Sequence, residues 1–270
     1  MQKKIGFIGA GKMAQAIIGG MINSKIISPE RLFASAKSIE TVEKVQQKYH
    51  IEITTDNKQV AKQADILFLA IKPDLHLAII EEIRDFVKKD AVIITIAAGI
   101  YLNDLEAGFK RKIKAIRSMP NTPSLIGEGM SAICKNEWVT EEDLRDAIQL
   151  FSCFGKVEVI EEKFMDSIPA ISASSPAYVY LFIEALADGG VKSGLSREQA
   201  YKLASQAVLG AAKMVLETGK HPGELKDEVC TPGGATIAAI AELEKQGFRA
   251  AVLSAMESCE QKTKALGKKN

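Results

Sequence analysis

Short apolar runs alternate with helical periodicity through roughly the first 160 residues. The runs at residues 66–70 and 92–96 are continuously apolar, which is typical of strands buried on both faces of a parallel sheet. Residues 39–49 and 75–87 instead repeat their apolar positions at helical spacing. This alternation predicts an α/β fold with a doubly wound, mostly parallel sheet.

The pattern changes near residues 161–165, where strand-like runs end and alanine-rich helical periodicity begins. One predicted helical face carries Val179, Phe182, Ile183 and Leu186. We therefore divide the chain into an α/β domain over residues 1–162 and an all-helical domain over residues 163–270. Alanine-rich faces allow helices to pack closely, so a second subunit could complete this domain.

Composition and charge narrow the class of protein. Lys and Arg number 35 and Asp and Glu 34, for a formal net charge of +1, so the basic stripe of a nucleic-acid-binding protein is not expected. The longest apolar run, residues 91–100, is too short to span a bilayer. The N-terminal residues do not resemble a signal peptide, and the four cysteines lack zinc-site or redox spacing. We expect a cytoplasmic protein with no nucleic-acid or membrane partner.

A glycine-rich segment follows the first predicted strand and opens the first helix. It reads Gly9, Ala10, Gly11, Lys12, Met13 and Ala14, which fits the dinucleotide fingerprint with alanine in its last position. Gly9 permits a tight turn, and Gly11 lets a pyrophosphate approach the amides at the helix N-terminus. The sequence predicts a Rossmann-type cofactor domain. A glycine turn without a nucleotide is the alternative.

The residues at the end of the second predicted strand indicate whether a dinucleotide site prefers NAD or NADP. An NAD site usually carries Asp or Glu there, whereas this chain has Ser35 and Lys37 and no carboxylate. A hydroxyl and a cation suit a 2′-phosphate, so we expect NADPH to be preferred. Lysine is a less committed phosphate ligand than arginine, so use of NADH stays open. Lys37 as an ordinary solvated lysine is the other interpretation.

Small and polar residues follow the later strands, where ligands bind in open α/β sheets. They form three groups, namely Ala70, Ile71, Lys72 and Pro73; Ala97, Ala98 and Gly99; and Pro120 with Asn121. Small side chains let a flat ring approach the backbone, and Asn121 can donate to a carboxamide. Each group alone suits an ordinary turn, but together they outline a cofactor cleft.

One segment of the helical half is chemically unlike its surroundings. Thr231, Pro232, Gly233, Gly234, Ala235 and Thr236 place a glycine loop and two hydroxyls at the start of a helix. The first amides of a helix lack internal partners, so they can bind a carboxylate. A tight helix–helix connection capped by threonine is the alternative.

The three histidines give no indication of a metal site or a catalytic triad. His50, His76 and His221 share no ligand spacing, and His50 and His76 are expected at the surface, at the ends of amphipathic helices. We expect no metal. The sequence therefore favours a reaction that needs little acid–base catalysis by side chains. Hydride transfer to an activated double bond is such a reaction, because the cofactor performs the difficult step.

Four segments resemble the pyrroline-5-carboxylate reductase family, namely residues 5–13, 70–73, 117–123 and 222–244, of which the last is the most specific. The resemblance covers essentially the whole chain. It implies that NAD(P)H reduces 1-pyrroline-5-carboxylate to L-proline, the last step of proline synthesis. It also implies a carboxylate seat at Thr231, Gly233, Gly234 and Ala235. Thr236 then lies near the imine nitrogen, where it orients the substrate or relays a proton.

The resemblance further implies a homodimer through the helical domain, and by analogy alone a decamer of dimers. Val252, Leu253, Met256 and Cys259 suit that interface, as they would suit a monomer core. Two rival functions stay open. A β-hydroxyacid dehydrogenase needs a catalytic lysine on a glycine-rich helix, and residues 189–194 have a different glycine order. A sensor that binds NADP without turnover is the other rival.

Overall fold

A computed structural model describes residues 1–267, with side chains through residue 265, so the last three residues of the predicted helical domain lie outside it. The described residues form eight strands and eleven α-helices. The strands are β1 (Ile5–Ile8), β2 (Leu32–Ser35), β3 (Glu52–Thr54), β4 (Ile66–Leu69), β5 (Val92–Thr95), β6 (Lys114–Met119), β7 (Gly129–Lys135) and β8 (Gly155–Val159). The helices are α1 (Lys12–Asn23), α2 (Ile39–Tyr49), α3 (Asn57–Gln63), α4 (His76–Ile83), α5 (Leu102–Phe109), α6 (Glu141–Ser152), α7 (Ser175–Lys192), α8 (Arg197–Thr218), α9 (Pro222–Val229), α10 (Ala235–Lys245) and α11 (Phe248–Gly267).

All eight strands join one sheet in the order β3-β2-β1-β4-β5-β6-β7-β8. Every neighbouring pair is parallel except β6 and β7, which are antiparallel. The predicted doubly wound, mostly parallel sheet is confirmed. The order in which successive strands are added to the sheet reverses between β1 and β4, and that switch point is where open α/β sheets bind ligands.

Buried side chains hold helices against both faces of the sheet. On one face the rings of Phe7 and Phe68 stack with centroids 4.7 Å apart, and Phe151 of α6 packs on Phe68. Thr140 caps α6 as expected, because its hydroxyl accepts a hydrogen bond from the Asp143 amide. Lys114 and Thr140 hold the carboxyl of Asp143 in place, and they outweigh its burial to lower its pKa to about 2. These contacts fix the strand positions from which the site loops emerge.

The chain separates into two compact units, one of residues 1–174 with the end of α11 from Cys259, and one of residues 175–258. The sheet unit therefore extends beyond the predicted boundary at residue 162. The reason is visible in the contacts: Met165 is fully buried in the sheet core, and Asp166 binds the buried guanidinium of Arg117 at 2.6 Å. The functional boundary at residue 162 stays a prediction.

The helical unit exposes many large apolar side chains. Leu181 is 68% exposed, Val229 64% and Leu216 81%. Among the described residues, the stretch Pro169–Lys192 is long and apolar enough to cross a membrane by length and composition alone, and 11% of its apolar 18-residue window is buried. Surface of this kind is uncommon on a monomer and typically marks an interaction site.

Candidate active site

The turn between β1 and α1 joins three strand ends. The amide of Gly9 donates to the carbonyl of Ser35 at 3.0 Å, and Ile8 pairs in register with both Ser35 and Leu69. Gly9 has φ +95°, and a Cβ there would lie 2.5 Å from the carbonyl oxygen of Ala70. Only glycine fits this turn without moving the backbone.

Gly11 is the N-cap of α1, and no side chain caps the helix. A Cβ on Gly11 would meet nothing within 4 Å, in contrast to Gly9. Free backbone amides at a helix N-terminus bind a phosphate when the space next to them is open. The local geometry thus suits the pyrophosphate of a dinucleotide.

A cavity of about 770 Å³ adjoins this turn at the ends of β1 and β2. It is lined by seven of the predicted cofactor residues, namely Gly9, Ala10, Gly11, Lys12, Ser35, Lys37 and Ile71. Lys37 is exposed, and it makes no ion pair with the part of the chain that is described. Its ammonium group is therefore available to a ligand.

A second cavity of about 360 Å³ lies at the ends of β1, β4, β5 and β6. Its walls include the predicted residues Met13, Ala70, Ile71, Lys72, Pro73, Ala97 and Pro120. Gly11, Lys12 and Ile71 line both cavities, so the two adjoin. Together they form a groove along the carboxyl edge of the sheet.

Three predicted cofactor residues lie outside both cavities: Ala98, Gly99 and Asn121. The Asn121 amide is instead bound to backbone, because its nitrogen donates to the carbonyl of Ser172 at 3.0 Å and its oxygen accepts from the Met130 amide at 2.8 Å. Asn121 therefore braces the loop after β6. Its predicted contact with a carboxamide stays a prediction without support from this geometry.

Asn57 and Glu82 line the larger cavity, and the sequence reasoning missed both. The fully buried Ser35 hydroxyl donates to the Asn57 side-chain oxygen at 2.7 Å, and the Asn57 nitrogen donates to Glu82 at 3.0 Å. Ser35 thus faces Asn57, and the amide of Asn57 keeps one N–H for a ligand. Asp56, the N-cap of α3, is the one signal in the sequence that marks a helix start at Asn57. The strand before it, β3, is too short to be predicted, so Asn57 is not expected at the edge of the sheet.

The expectation for His76 is wrong. It was predicted at the surface, but it is 1% exposed and hydrogen-bonded through both ring nitrogens. His50 is exposed as expected, and His221 caps α9 by accepting a hydrogen bond from the Gly223 amide. No group of three or more possible metal-ligating side chains is found among residues 1–267.

In the helical unit, the predicted carboxylate seat surrounds the N-terminus of α10. Gly233 has φ +68°, and the amide of Gly234 donates to the carbonyl of Thr231 at 3.0 Å. Gly234 is the N-cap of α10 without a side-chain cap, so the first amides of the helix are available to an anion. A Cβ on Gly234 would collide with the Thr231 hydroxyl, which shows how close this hydroxyl lies to the helix N-terminus. Thr236 is half-buried in the first turn.

Two family models match the chain. One, described as pyrroline-5-carboxylate reductase dimerisation, matches residues 162–266. The other, described as NADP oxidoreductase coenzyme F420-dependent, matches residues 4–99. The first covers the apolar helical unit, and the second covers β1 to β5 of the sheet.

Named relatives align over their whole lengths. The chain is 47% identical over 268 residues to the pyrroline-5-carboxylate reductase of Escherichia coli strain K12, covering 99% of this chain and 100% of the relative. A crystal structure of Plasmodium falciparum pyrroline carboxylate reductase with NADP bound has a TM-score of 0.90 and 36% identity, with 98% of each chain covered. A Coxiella burnetii pyrroline-5-carboxylate reductase has a TM-score of 0.92 and 32% identity, covering 98% of this chain and 99% of that one.

Proposed function

This chain belongs to the pyrroline-5-carboxylate reductase family, and from that membership we infer that it reduces 1-pyrroline-5-carboxylate to L-proline with a nicotinamide cofactor. The observation that carries this is the 47% identity across the full length of a relative with that name. The reaction is the last step of proline biosynthesis. The ring C=N bond, protonated to an iminium, accepts a hydride.

The groove fits a dinucleotide. The open space above Gly11, the uncapped α1 N-terminus and the two adjoining cavities match a pyrophosphate with a ring system on either side. When bound, the reduced nicotinamide supplies the hydride. We assign the pyrophosphate to residues 9–13. The adenosine end lies against Ser35, Lys37 and Asn57, and the nicotinamide end against residues 70–73, Ala97 and Pro120.

The adenosine cavity supports a preference for NADPH over NADH. Lys37 brings a cation that pairs with none of the described carboxylates to the end of β2, where an NAD site usually has a carboxylate. The carboxylate that does line this cavity, Glu82, accepts a hydrogen bond from Asn57. NADH remains a usable donor in this proposal, because a lysine binds phosphate less specifically than the bidentate arginine does.

Lys37→Ala tests this preference. Losing a charge-assisted contact to phosphate is expected to raise the KM for NADPH roughly tenfold and to leave the KM for NADH nearly unchanged. Initial rates with both cofactors measure the ratio. Lys44→Ala is the matched control, because Lys44 is an exposed lysine of α2 that pairs with Glu40 outside the cavity. Equal changes for the two cofactors would remove Lys37 from the 2′-phosphate site.

The α10 N-terminus is our proposed substrate seat. Its free amides and helix dipole favour an anion, and the substrate carries one carboxylate. We assign this carboxylate to Thr231 and to the backbone of Gly233, Gly234 and Ala235. Thr236 follows in the same turn and is placed at the imine nitrogen, where it orients the substrate or relays a proton. A neutral hydroxyl is a weak acid, so water is the alternative donor.

The chain forms oligomers through its dimerisation domain, and we propose a homodimer. The exposed apolar side chains of the helical unit, including Leu181, Leu216 and Val229, would be covered by the partner. Val252 and Leu253 of α11 are exposed and fit the same role. The apolar stretch Pro169–Lys192 lies within the residues that match the dimerisation family model, so we expect it to pack against protein rather than lipid. A cytoplasmic location agrees with this, and a decamer remains an analogy.

The decisive assay follows nicotinamide absorbance when the purified protein meets 1-pyrroline-5-carboxylate with NADPH or NADH. We expect rapid oxidation with one proline formed per cofactor consumed, and a higher rate with NADPH. Tight NADPH binding without turnover would refute the reductase and favour a sensor. Oxidation of a β-hydroxyacid with NADP, but no imine reduction, would favour the dehydrogenase rival.

A further inference from the structure

His76 is a buried titratable side chain that the reaction does not use. It is the first residue of α4 and follows the Lys72–Pro73 turn after β4. Its Nδ1 lies 3.1 Å from the carbonyl oxygen of Lys72, and its Nε2 lies 3.0 Å from Oγ1 of Thr95 at the end of β5. One imidazole thus connects two strand ends that flank the smaller cavity.

The partners determine where each proton lies. A carbonyl oxygen only accepts, so Nδ1 of His76 carries the proton and donates to Lys72. Burial lowers the pKa of His76, although its hydrogen bond to the Lys72 carbonyl opposes that shift, so the ring is neutral near pH 7. Nε2 then accepts from the Thr95 hydroxyl, whose oxygen accepts from the Ala97 amide at 3.2 Å. The chain of hydrogen bonds therefore has one direction, from Ala97 through Thr95 and His76 to Lys72.

Both ends of this chain form walls of the cavity assigned to the nicotinamide. Lys72 and Ala97 line it directly, and neither His76 nor Thr95 does. The fully buried hydroxyl of Ser118 donates to the Thr95 carbonyl at 2.8 Å, which connects β5 to β6, the strand that Pro120 follows. Hydrogen bonds through residues that do not line the cavity thus connect three of the four loops that surround it, namely those after β4, β5 and β6.

We propose that His76 is a positioning residue that sets the spacing of the Lys72 and Ala97 loops, and thereby the placement of the nicotinamide ring for hydride transfer. This rests on the proposed assignment of the smaller cavity to the nicotinamide. Small displacements of reacting atoms cost large factors in rate, so the effect appears mainly in kcat. The adenosine end binds in the other cavity, so NADPH affinity is largely retained.

The test compares His76→Leu, His76→Gln and Thr95→Val with the wild-type enzyme, whose NADPH-dependent activity is measured first. His76→Leu keeps bulk but loses both hydrogen bonds, and we expect kcat to fall roughly tenfold with less than about threefold change in KM for NADPH. His76→Gln reaches the Nε2 position and restores acceptance from Thr95, so part of kcat returns. Thr95→Val lowers kcat by a much smaller factor in the His76→Leu background than in the wild type, because both residues act through one chain of hydrogen bonds.

Ile83→Val is the control, because Ile83 is a fully buried residue of α4 that lines neither cavity of the groove. It is expected to lower the melting temperature without changing kcat. A His76→Leu enzyme with wild-type kcat overturns the proposal, as does a purely additive effect of Thr95→Val. So does a loss of kcat that Ile83→Val reproduces. Wild-type protein that neither binds NADPH nor turns over would instead refute the proposed function.

Discussion

Gly11→Ala is expected to weaken NADPH binding by roughly tenfold or more while leaving thermal stability close to that of the wild type. Gly11 has φ −71°, which any residue adopts, and a Cβ there meets no atom of the described residues within 4 Å. Alanine therefore fits the fold. Its methyl group instead occupies the space through which a pyrophosphate reaches the α1 amides.

Gly9→Ala is the contrasting variant in the same turn. Its positive φ and the Ala70 carbonyl, 2.5 Å from the added Cβ, force the backbone to move. We expect this variant to lose both melting temperature and NADPH binding. Fluorescence titration with NADPH and thermal melts of the two variants separate the effects. Wild-type NADPH affinity in Gly11→Ala would show that the pyrophosphate does not lie at this turn.

Local patterns predicted most of the sheet because buried parallel strands are continuously apolar. The helix over residues 39–49 was found at its observed bounds, since its apolar positions repeat regularly. β3 was missed because it has three residues and only Ile53 is buried. α3 carries too few apolar positions to show a period, whereas α5 repeats Leu102, Leu105 and Phe109 at helical spacing, but over only eight residues. The antiparallel direction of β7 depends on the short connection at Thr122–Ile126, which is a 3-10 turn rather than a crossover helix.

In the candidate site, too, local motifs could be predicted from the sequence and contacts between distant residues could not. The turn at residues 9–13 and the loop at residues 231–236 are continuous in sequence, so their composition alone reveals an anion-binding helix start. Asn57, Glu82 and His76 join the site through partners 19 to 25 residues away. Such contacts depend on strand pairing, which amphipathic patterns do not specify. His76 illustrates the error: its position at the start of a helix suggested exposure, but the ring turns inward to Thr95.

Thr236→Ala is expected to reduce kcat by roughly ten- to a hundredfold, the scale of losing a positioned proton relay or orienting hydroxyl at the imine. NADPH affinity should remain near the wild-type value, because the groove is built from residues of the sheet unit. Stability should change little, since alanine is a good helix former and Thr236 caps nothing in α10. Steady-state rates and NADPH titration on the same preparation measure both quantities.

Two further variants separate the roles of the hydroxyls. Thr236→Ser keeps a hydroxyl and should retain most of kcat, whereas Thr231→Ala should mainly raise the KM for 1-pyrroline-5-carboxylate by removing a contact to its carboxylate. If Thr236→Ala retains the wild-type rate, water donates the proton and Thr236 is only a half-buried residue of the first turn. If Thr236→Ala raises KM alone, as Thr231→Ala does, the two hydroxyls serve one carboxylate seat. A loss confined to kcat in Thr236→Ala places its hydroxyl at the reacting nitrogen, because only a group acting in the transition state lowers kcat without changing substrate binding.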